Sequence, residues 1–165
     1  MFTSVNLISA AVAGLCFVPC FAAGVFAPPL TFEPGAAGHY VARAGAVSAS
    51  IRPNGLRVVA GRSDAGIRIG FVGANTAAKA EHAAALPGRV NYYLGNDPSK
   101  WRTGIAAYGS VAFDGVYPGI DVLYHGAADF IEYDFRIAPG HDAKRVRIAF
   151  DAAGPIRIRP DGAVT

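Results

Sequence analysis

Short runs of alternating apolar and polar residues, each bounded by turn residues, constrain the fold of this chain more than any other feature. In the clearest run, Phe130–Ile137, the apolar side chains at 131, 133, 135 and 137 alternate with Glu132, Asp134 and Arg136. Because successive side chains of a strand point to opposite faces, this run predicts a strand with one buried face. Similar runs, at a spacing typical of an all-β antiparallel β-sandwich or barrel-like domain, occupy residues 40–44, 47–52, 56–60, 67–72, 90–94, 105–113, 120–124, 145–150 and 156–159.

Two segments between the runs carry local structural signals. Pro53-Asn54-Gly55 separates two runs, and Asn-Gly supplies the positive φ angles of a tight hairpin. Residues 76–85 (TAAKAEHAAA) are rich in alanine, which favours a turn or two of helix ended by Pro87-Gly88.

The connection between residues 137 and 145 predicts a strand pairing. Residues 138–144 include Pro139-Gly140 and are too few for a helical crossover, which takes a dozen or more. We therefore expect Phe130–Ile137 to pair with residues 145–150 as adjacent antiparallel strands. In that arrangement Glu132 and Asp134 lie opposite Arg145 and Arg147 on a solvated face, while Val146, Ile148 and Phe150 share the buried face.

The N-terminus predicts export. Residues 1–27 contain no Asp, Glu, Lys or Arg, and the apolar run at 7–18 is shorter than the roughly 20 residues that span a bilayer. Pro19 and small residues follow, as in a secretory signal peptide, although the n-region has no Lys or Arg. We expect a signal peptide over residues 1–22 and a domain over 23–165. Cleavage after Gly24 or Ala27, or an uncleaved anchor, are the alternatives.

Both cysteines, Cys16 and Cys20, lie in the predicted signal peptide, so the mature chain would contain no disulfide. We expect it to be periplasmic, on the outer surface or secreted, with no membrane span after signal cleavage. At the other end, residues 156–165 look like a hairpin interrupted in its second strand, which leaves an unpaired edge. We therefore expect the chain to be truncated at its C-terminus, as a fragment of a longer protein.

Few residues have the spacing of a catalytic, cofactor or metal site, and we predict none. The glycines at 66–73 lie in a strand pattern, and Ser110 lacks the second glycine of a nucleophile elbow. The net charge of +3 comes from dispersed residues, so no basic cluster indicates nucleic-acid binding. Neither zinc-site nor EF-hand spacing is found among the histidines and aspartates His39, His82, His125, His141, Asp114, Asp121 and Asp129.

One pair of carboxylates has an alternative interpretation. Glu132 and Asp134 project from the same face of a strand, roughly 6–7 Å apart at the strand rise. That separation lies between those of retaining and inverting glycosidases. With an aromatic platform at Trp101, Tyr92 or Tyr117, the pair would form a carbohydrate-active or carbohydrate-binding site; otherwise the two residues belong to a solvated face.

Several motifs together resemble a known family. They are NYYLGNDP at 91–98, KWR at 100–102, VYPGID at 116–121, IEYDF at 131–135, APG at 138–140 and LTFEP at 30–34. In this order they resemble the N-terminal domain of unknown function that precedes beta-propeller (SBBP) repeats in bacterial exported and cell-surface proteins. The repeats themselves are absent here, and residues 77–85 are richer in alanine than the resemblance implies.

The resemblance implies no assigned activity. We therefore expect a non-enzymatic structural or interaction module of an exported bacterial envelope or cell-surface protein, whose partners are other envelope components or glycans. Within the motifs, Asn96-Asp97-Pro98 is typical of a turn. We expect the aromatic and apolar residues around it, including Trp101, to pack into a structural centre; if Trp101 were fully buried, its truncation to alanine would cost roughly 3–5 kcal/mol.

The export hypothesis predicts the mass of the mature protein. Removal of residues 1–22 leaves a chain that begins at Ala23, and intact-mass measurement of the periplasmic or secreted product detects that species. A product that retains Met1 and sediments with membranes would contradict the cleaved signal peptide.

Overall fold

The chain forms one curled antiparallel sheet, a half-barrel, in the part that the structure describes. The computed structural model describes residues 10–11, 30–44, 47–61, 66–127, 130–152, 154, 157 and 159. The all-β prediction is confirmed. No helix within these ranges is long and apolar enough to cross a membrane.

The described strands follow one another along the chain with short connections. Brief 3-10 turns occur at Ala36–Gly38, Pro98–Lys100 and Ala143–Arg145. The strands are β1 (Ala10–Ala11), β2 (Thr31–Pro34), β3 (Tyr40–Ala44), β4 (Val47–Arg52), β5 (Gly55–Ala60), β6 (Gly66–Phe71), β7 (Ala80–Tyr92), β8 (Arg102–Tyr117), β9 (Ile120–Ala127), β10 (Phe130–Ile137) and β11 (Ile148–Asp151).

The sheet runs in the order β1-β10-β9-β8-β2-β3-β4-β5-β6-β11, and β7 pairs with β8 outside this path. The long β8 connects the two halves of the sheet. It pairs with β9 between Ser110 and Tyr117, with β2 at Tyr108, and with β7 between Arg102 and Phe113. The remaining neighbours from β2 to β6 form successive hairpins.

The concave face of the sheet carries the hydrophobic core, as the alternation of the strands predicts. In β10 the residues Ile131, Tyr133 and Phe135 are buried. Phe71 of β6 contacts β9 and β10 across the interior, with its ring centroid 4.8 Å from that of Phe135 and 6.4 Å from that of Tyr124. The two ends of the sheet therefore meet through aromatic side chains.

The first tight hairpin forms where the sequence predicts it, but with different central residues. Arg52 pairs with Gly55, so Pro53 and Asn54 occupy the two central positions. Among the described residues other than glycine, only Ala37 has a positive φ, so Asn54 does not supply one. Proline at the second and glycine at the fourth position are typical of a type I turn, and Gly55 itself has φ +131°.

The predicted helix over residues 76–85 is wrong. The chain makes a turn at 76–77, where the side chain of Asn75 accepts a hydrogen bond from the Ala77 amide, and enters β7 at Ala80. Hydrogen bonding to β8, with several register shifts, stabilises the extended backbone of this segment. Tertiary pairing thus overrides the modest helical preference of alanine.

The predicted pairing of Phe130–Ile137 with residues 145–150 is also wrong. β10 pairs with β9, from which only residues 128–129 separate it, and β11 pairs with β6. Consequently Glu132 lies opposite His125 rather than an arginine. The apolar residues Val146, Ile148 and Phe150 are partly buried against the core, as expected. Only the strand with which they were expected to pair is different.

Two expectations about the ends of the chain concern residues outside this description. The signal peptide over 1–22 lies outside the described residues except for Ala10–Ala11, whose short strand pairs with β10. The hairpin expected over 156–165 is likewise almost entirely outside them.

Two buried tyrosines should respond oppositely to loss of the hydroxyl. Tyr124 donates a 3.1 Å hydrogen bond to the Arg52 carbonyl, whereas the buried Tyr133 hydroxyl has no partner within the described structure. Tyr124→Phe should lower the free energy of unfolding by about 0.5–1.5 kcal/mol. Tyr133→Phe should leave it unchanged or raise it, because an unsatisfied buried hydroxyl costs stability. Urea unfolding at neutral pH measures both, and a Tyr133→Phe loss as large as that of Tyr124→Phe would contradict the geometry.

Tyr133→Phe should also change how the free energy of unfolding depends on pH at alkaline pH. Burial raises the pKa of Tyr133 from 10.0 to about 12, so the unfolded chain loses this proton first. Titration of Tyr133 therefore leaves the free energy of unfolding unchanged below pH 10 and lowers it as the pH rises towards 12. Unfolding curves between these pH values should therefore be less pH-dependent for Tyr133→Phe than for the native chain. An identical pH dependence would contradict the burial of this group.

Candidate functional site

The two carboxylates singled out in the sequence lie beside a histidine on the convex face of the sheet. His125 Nε2 is 3.0 Å from Asp134 Oδ2 and 3.9 Å from Glu132 Oε2. The three side chains are each between 26% and 29% exposed. The expectation of a fully solvated face with arginine partners is therefore wrong, because the β9–β10 hairpin brings His125 into register with Glu132.

Ser110 on β8 lies next to this cluster, but His125 does not activate it as a nucleophile. It pairs directly with His125 across β8 and β9, so the two residues share a face. No hydrogen bond joins Ser110 to His125 in the described structure, and Nε2 of the imidazole is directed to Asp134. No group of three or more His, Cys, Asp or Glu residues in the described ranges could hold a metal ion. The arrangement is a histidine–carboxylate contact on a sheet face and lacks the serine–histidine hydrogen bond of a nucleophilic triad.

The structure does not bring the proposed aromatic platforms to the carboxylates. Tyr117 is buried and donates a hydrogen bond to the Val72 carbonyl. Trp101 precedes β8 and lies nine residues from Ser110 along the chain. At the strand rise this corresponds to roughly 30 Å. Ser110 pairs with His125 beside the carboxylates, so Trp101 is too far from them to contact the same sugar ring.

Tyr92, the third platform candidate, forms a contact between β7 and β2. Its hydroxyl donates hydrogen bonds of 2.7 and 2.9 Å to the two carboxyl oxygens of Glu33, the one buried charged residue within the described ranges. The guanidinium groups of Arg43 and Arg102 lie 5.8 and 5.9 Å from its ring centroid. Burial and the Glu33 contact raise the pKa of Tyr92. The ring is thus occupied by protein contacts.

The connection between β7 and β8, here called the hairpin tip (residues 93–101), carries three exposed large hydrophobic side chains. Tyr93 is 63% exposed, Leu94 60% and Trp101 39%. The expectation that these residues pack into a structural centre is therefore wrong for Trp101, which is not buried. The β7–β8 hairpin carries the turn beyond the core, whereas the sequence signals only that a turn exists.

The turn itself forms as predicted. Asp97 precedes the 3-10 turn, and its side chain accepts hydrogen bonds from the Ser99 amide and hydroxyl at 3.0 and 2.7 Å. The Ser99 contacts hold the pKa of Asp97 below its usual value. Trp101 Nε1 donates to the Gly95 carbonyl at 3.1 Å, and its ring meets that of Tyr93 edge-on at 5.2 Å. The hairpin tip is therefore internally ordered although it is exposed.

The other residues that the sequence analysis considered do not join the His125 cluster within the described structure. Residues 66–71 form a strand, so the glycine pattern there is no phosphate loop. Asp121 accepts a hydrogen bond from the Gly115 amide at 2.7 Å, a structural contact. The side chains of His82 and Asp129 lie outside the described residues.

Sequence reasoning missed the association of His125 with the two carboxylates. A hairpin centred on residues 128–129 places residue 125 opposite residue 132. The short connection after β9 is therefore the sequence feature that could have predicted this contact. The histidine itself carried no spacing signal, because its partners are seven and nine residues further along the chain.

These features define an all-β domain with an exposed, ordered hairpin in the part that the structure describes. Residues 37–165 match the family described as a domain of unknown function (DUF7948), so the chain belongs to that family. The predicted likeness to a domain of unknown function is confirmed, and its association with SBBP repeats stays a prediction. No curated protein and no solved structure matches the chain.

The contact between β7 and β2 predicts a stability difference between neighbouring tyrosines. Tyr92→Phe removes both hydrogen bonds to the buried Glu33 carboxyl group and should lower the free energy of unfolding by about 1.5–3 kcal/mol. Tyr93→Phe, a matched change at an exposed ring, should alter it by less than about 0.5 kcal/mol. Denaturant unfolding of the two variants tests this, and equal effects would rule out the proposed contribution of Glu33.

Proposed function

We propose that the chain is a non-enzymatic interaction module of an exported bacterial envelope or cell-surface protein, and that the hairpin tip is its contact surface. The observation that carries the proposal is the exposure of Tyr93, Leu94 and Trp101 in one ordered turn. Tyrosine and tryptophan dominate the binding energy of protein interfaces, and leaving such side chains in water has no benefit to folding.

The order of the hairpin tip favours binding. The Asp97–Ser99 contacts, the Trp101–Gly95 hydrogen bond and the Tyr93–Trp101 ring contact hold the exposed side chains before any partner arrives. A surface that is already ordered loses less conformational entropy on association. Directly before the tip, the Tyr92–Glu33 hydrogen bonds join the end of β7 to β2.

The alternative, a carbohydrate-active site at Glu132 and Asp134, has weaker support. The carboxylates contact His125 on a sheet face, and the aromatic candidates lie elsewhere. A glycosidase needs its two carboxyl groups to flank a bound sugar ring within a cleft. Neither carboxylate lines the cavity that is formed by residues 34–40, the β4–β6 strands and residues 76–80.

Binding to isolated envelope material tests the proposal. The purified protein should sediment with bacterial sacculi or with outer-membrane vesicles. Trp101→Ala combined with Tyr93→Ala should reduce the bound fraction about tenfold or more, as expected for loss of two central aromatic contacts. Val47→Ala, which truncates a side chain that is 38% exposed on β4, serves as the control and should bind like the native protein.

Three outcomes would contradict the proposal. They are the absence of sedimentation with either material, equal losses in the tip and control variants, and glycan hydrolysis that Glu132→Gln abolishes. The last outcome would favour the carbohydrate-active alternative.

A further inference from the structure

A cavity of about 1050 Å³ is lined entirely by residues outside the hairpin tip. Its walls come from three parts of the chain: residues 34–40, the β4–β5–β6 region and residues 76–80. Ligand sites of proteins typically enclose about 300–1,000 Å³, so this space suits a molecule considerably larger than a single inorganic ion.

The charges that line the cavity have one sign. Arg52, Arg57, Arg68 and Lys79 contribute to it together with His39, and no described lining residue is acidic. In a chain with 15 basic and 12 acidic residues, this separation of charge is a local property of the fold rather than of the composition. Clefts lined by one sign of charge concentrate ions of the opposite sign.

The strand register places two of these cations side by side. Arg57 on β5 pairs directly with Arg68 on β6. An anion that binds beside this pair would be within reach of two guanidinium groups on adjacent strands. Two residues further along on the same face, Gly55 pairs with Gly70, so neither strand places a side chain beyond Cα next to the arginine pair on that side.

Two acids lie near this cluster without lining the cavity. Asp151 pairs in register with Arg68 from the other side, yet no ion pair of 4 Å or less joins the two in the described structure. Asp114 donates its backbone amide to the Lys79 carbonyl but does not line the cavity. Within the lining, His39 has a buried Nδ1 atom without a hydrogen-bond partner among the described residues.

We propose that this cavity binds a multivalent oxyanion, a molecule that carries two or more phosphate or carboxylate groups. Arg52 and Arg68 offer planar guanidinium groups for two-point hydrogen bonding to such groups, and Lys79 adds a point charge from another lining segment. The site is independent of the hairpin tip and does not require the interaction proposed there.

Calorimetric titration with two probes tests the site and distinguishes the source of the anion. Inorganic tripolyphosphate represents phosphate chemistry, and tri-galacturonic acid represents carboxylated sugars. At least one should bind the purified protein, raise its melting temperature and lose affinity between about 50 and 200 mM salt. A preference for either probe identifies the source.

Variants of equal charge change separate a built site from general attraction to a basic protein. Arg68→Gln and Lys79→Gln should each weaken binding about tenfold. Arg89→Gln, at an exposed position of β7 outside the cavity, should weaken it by less than about twofold. Trp101→Ala should not affect anion binding, which distinguishes failure of this proposal from failure of the hairpin-tip proposal.

Two results would overturn the proposal: no binding of either probe to the native protein, or equal weakening by the cavity variants and Arg89→Gln. Arg68 is exposed, so Arg68→Gln should retain the native melting temperature without ligand. Its loss of binding therefore cannot be attributed to unfolding when that temperature is measured in the same samples.

Discussion

The contact of Phe71 with the aromatic residues of β9 and β10 is the interaction on which the rest of the structure depends. β6 and β10 lie far apart in the strand order, with β9, β8, β2, β3, β4 and β5 between them. Phe71 nevertheless lies within 4.8 to 6.4 Å, between ring centroids, of Phe135, Tyr133 and Tyr124. Aromatic pairs of this kind contribute about 0.5–1.5 kcal/mol beyond the area they bury. Aromatic side chains, rather than backbone hydrogen bonds, thus join β6 to β9 and β10 across the interior of the half-barrel.

The surface features follow from this closure. With the core on the concave face, the β7 strand can pair only with the remaining edge of β8, and the hairpin continues past the core to an exposed tip. Curling also brings residues 34–40 and 76–80 over the end of β4–β6, where the basic cavity forms. The ordered tip and the cavity are therefore two separate products of one sheet, and we assign them separate roles.

Much of the local structure could be predicted from the sequence. Alternation alone identifies β3, β4 and β10 with the bounds that the structure has, because one face of each is buried. Pairing partners could not be predicted in the same way. The loop at 138–144 permits a hairpin but does not require one, and β9 extends to Ala127, so that its connection to β10 is shorter. The contact between β11 and β6 depends on closure of the sheet, which leaves no local signal.

The candidate sites were less predictable than the strands. The turn at Asp97 follows from local backbone chemistry, whereas the exposure of Trp101 depends on how far the hairpin extends from the core. The basic cavity combines Arg52, Arg68 and Lys79 from three segments that have no common spacing. Residues 76–80 reach the cavity because β7 is extended, and the helical preference of their alanines indicates the opposite.

Closure of the half-barrel by Phe71 is tested most directly by nuclear Overhauser effects between aromatic ring protons. If Phe71 closes the sheet, cross-peaks join the Phe71 ring to the rings of Phe135 and Tyr133, whose centroids lie 4.8 and 5.4 Å away. Absence of these cross-peaks, together with backbone cross-peaks between β10 and residues 145–150, would contradict it, because the sheet would then have a different strand order.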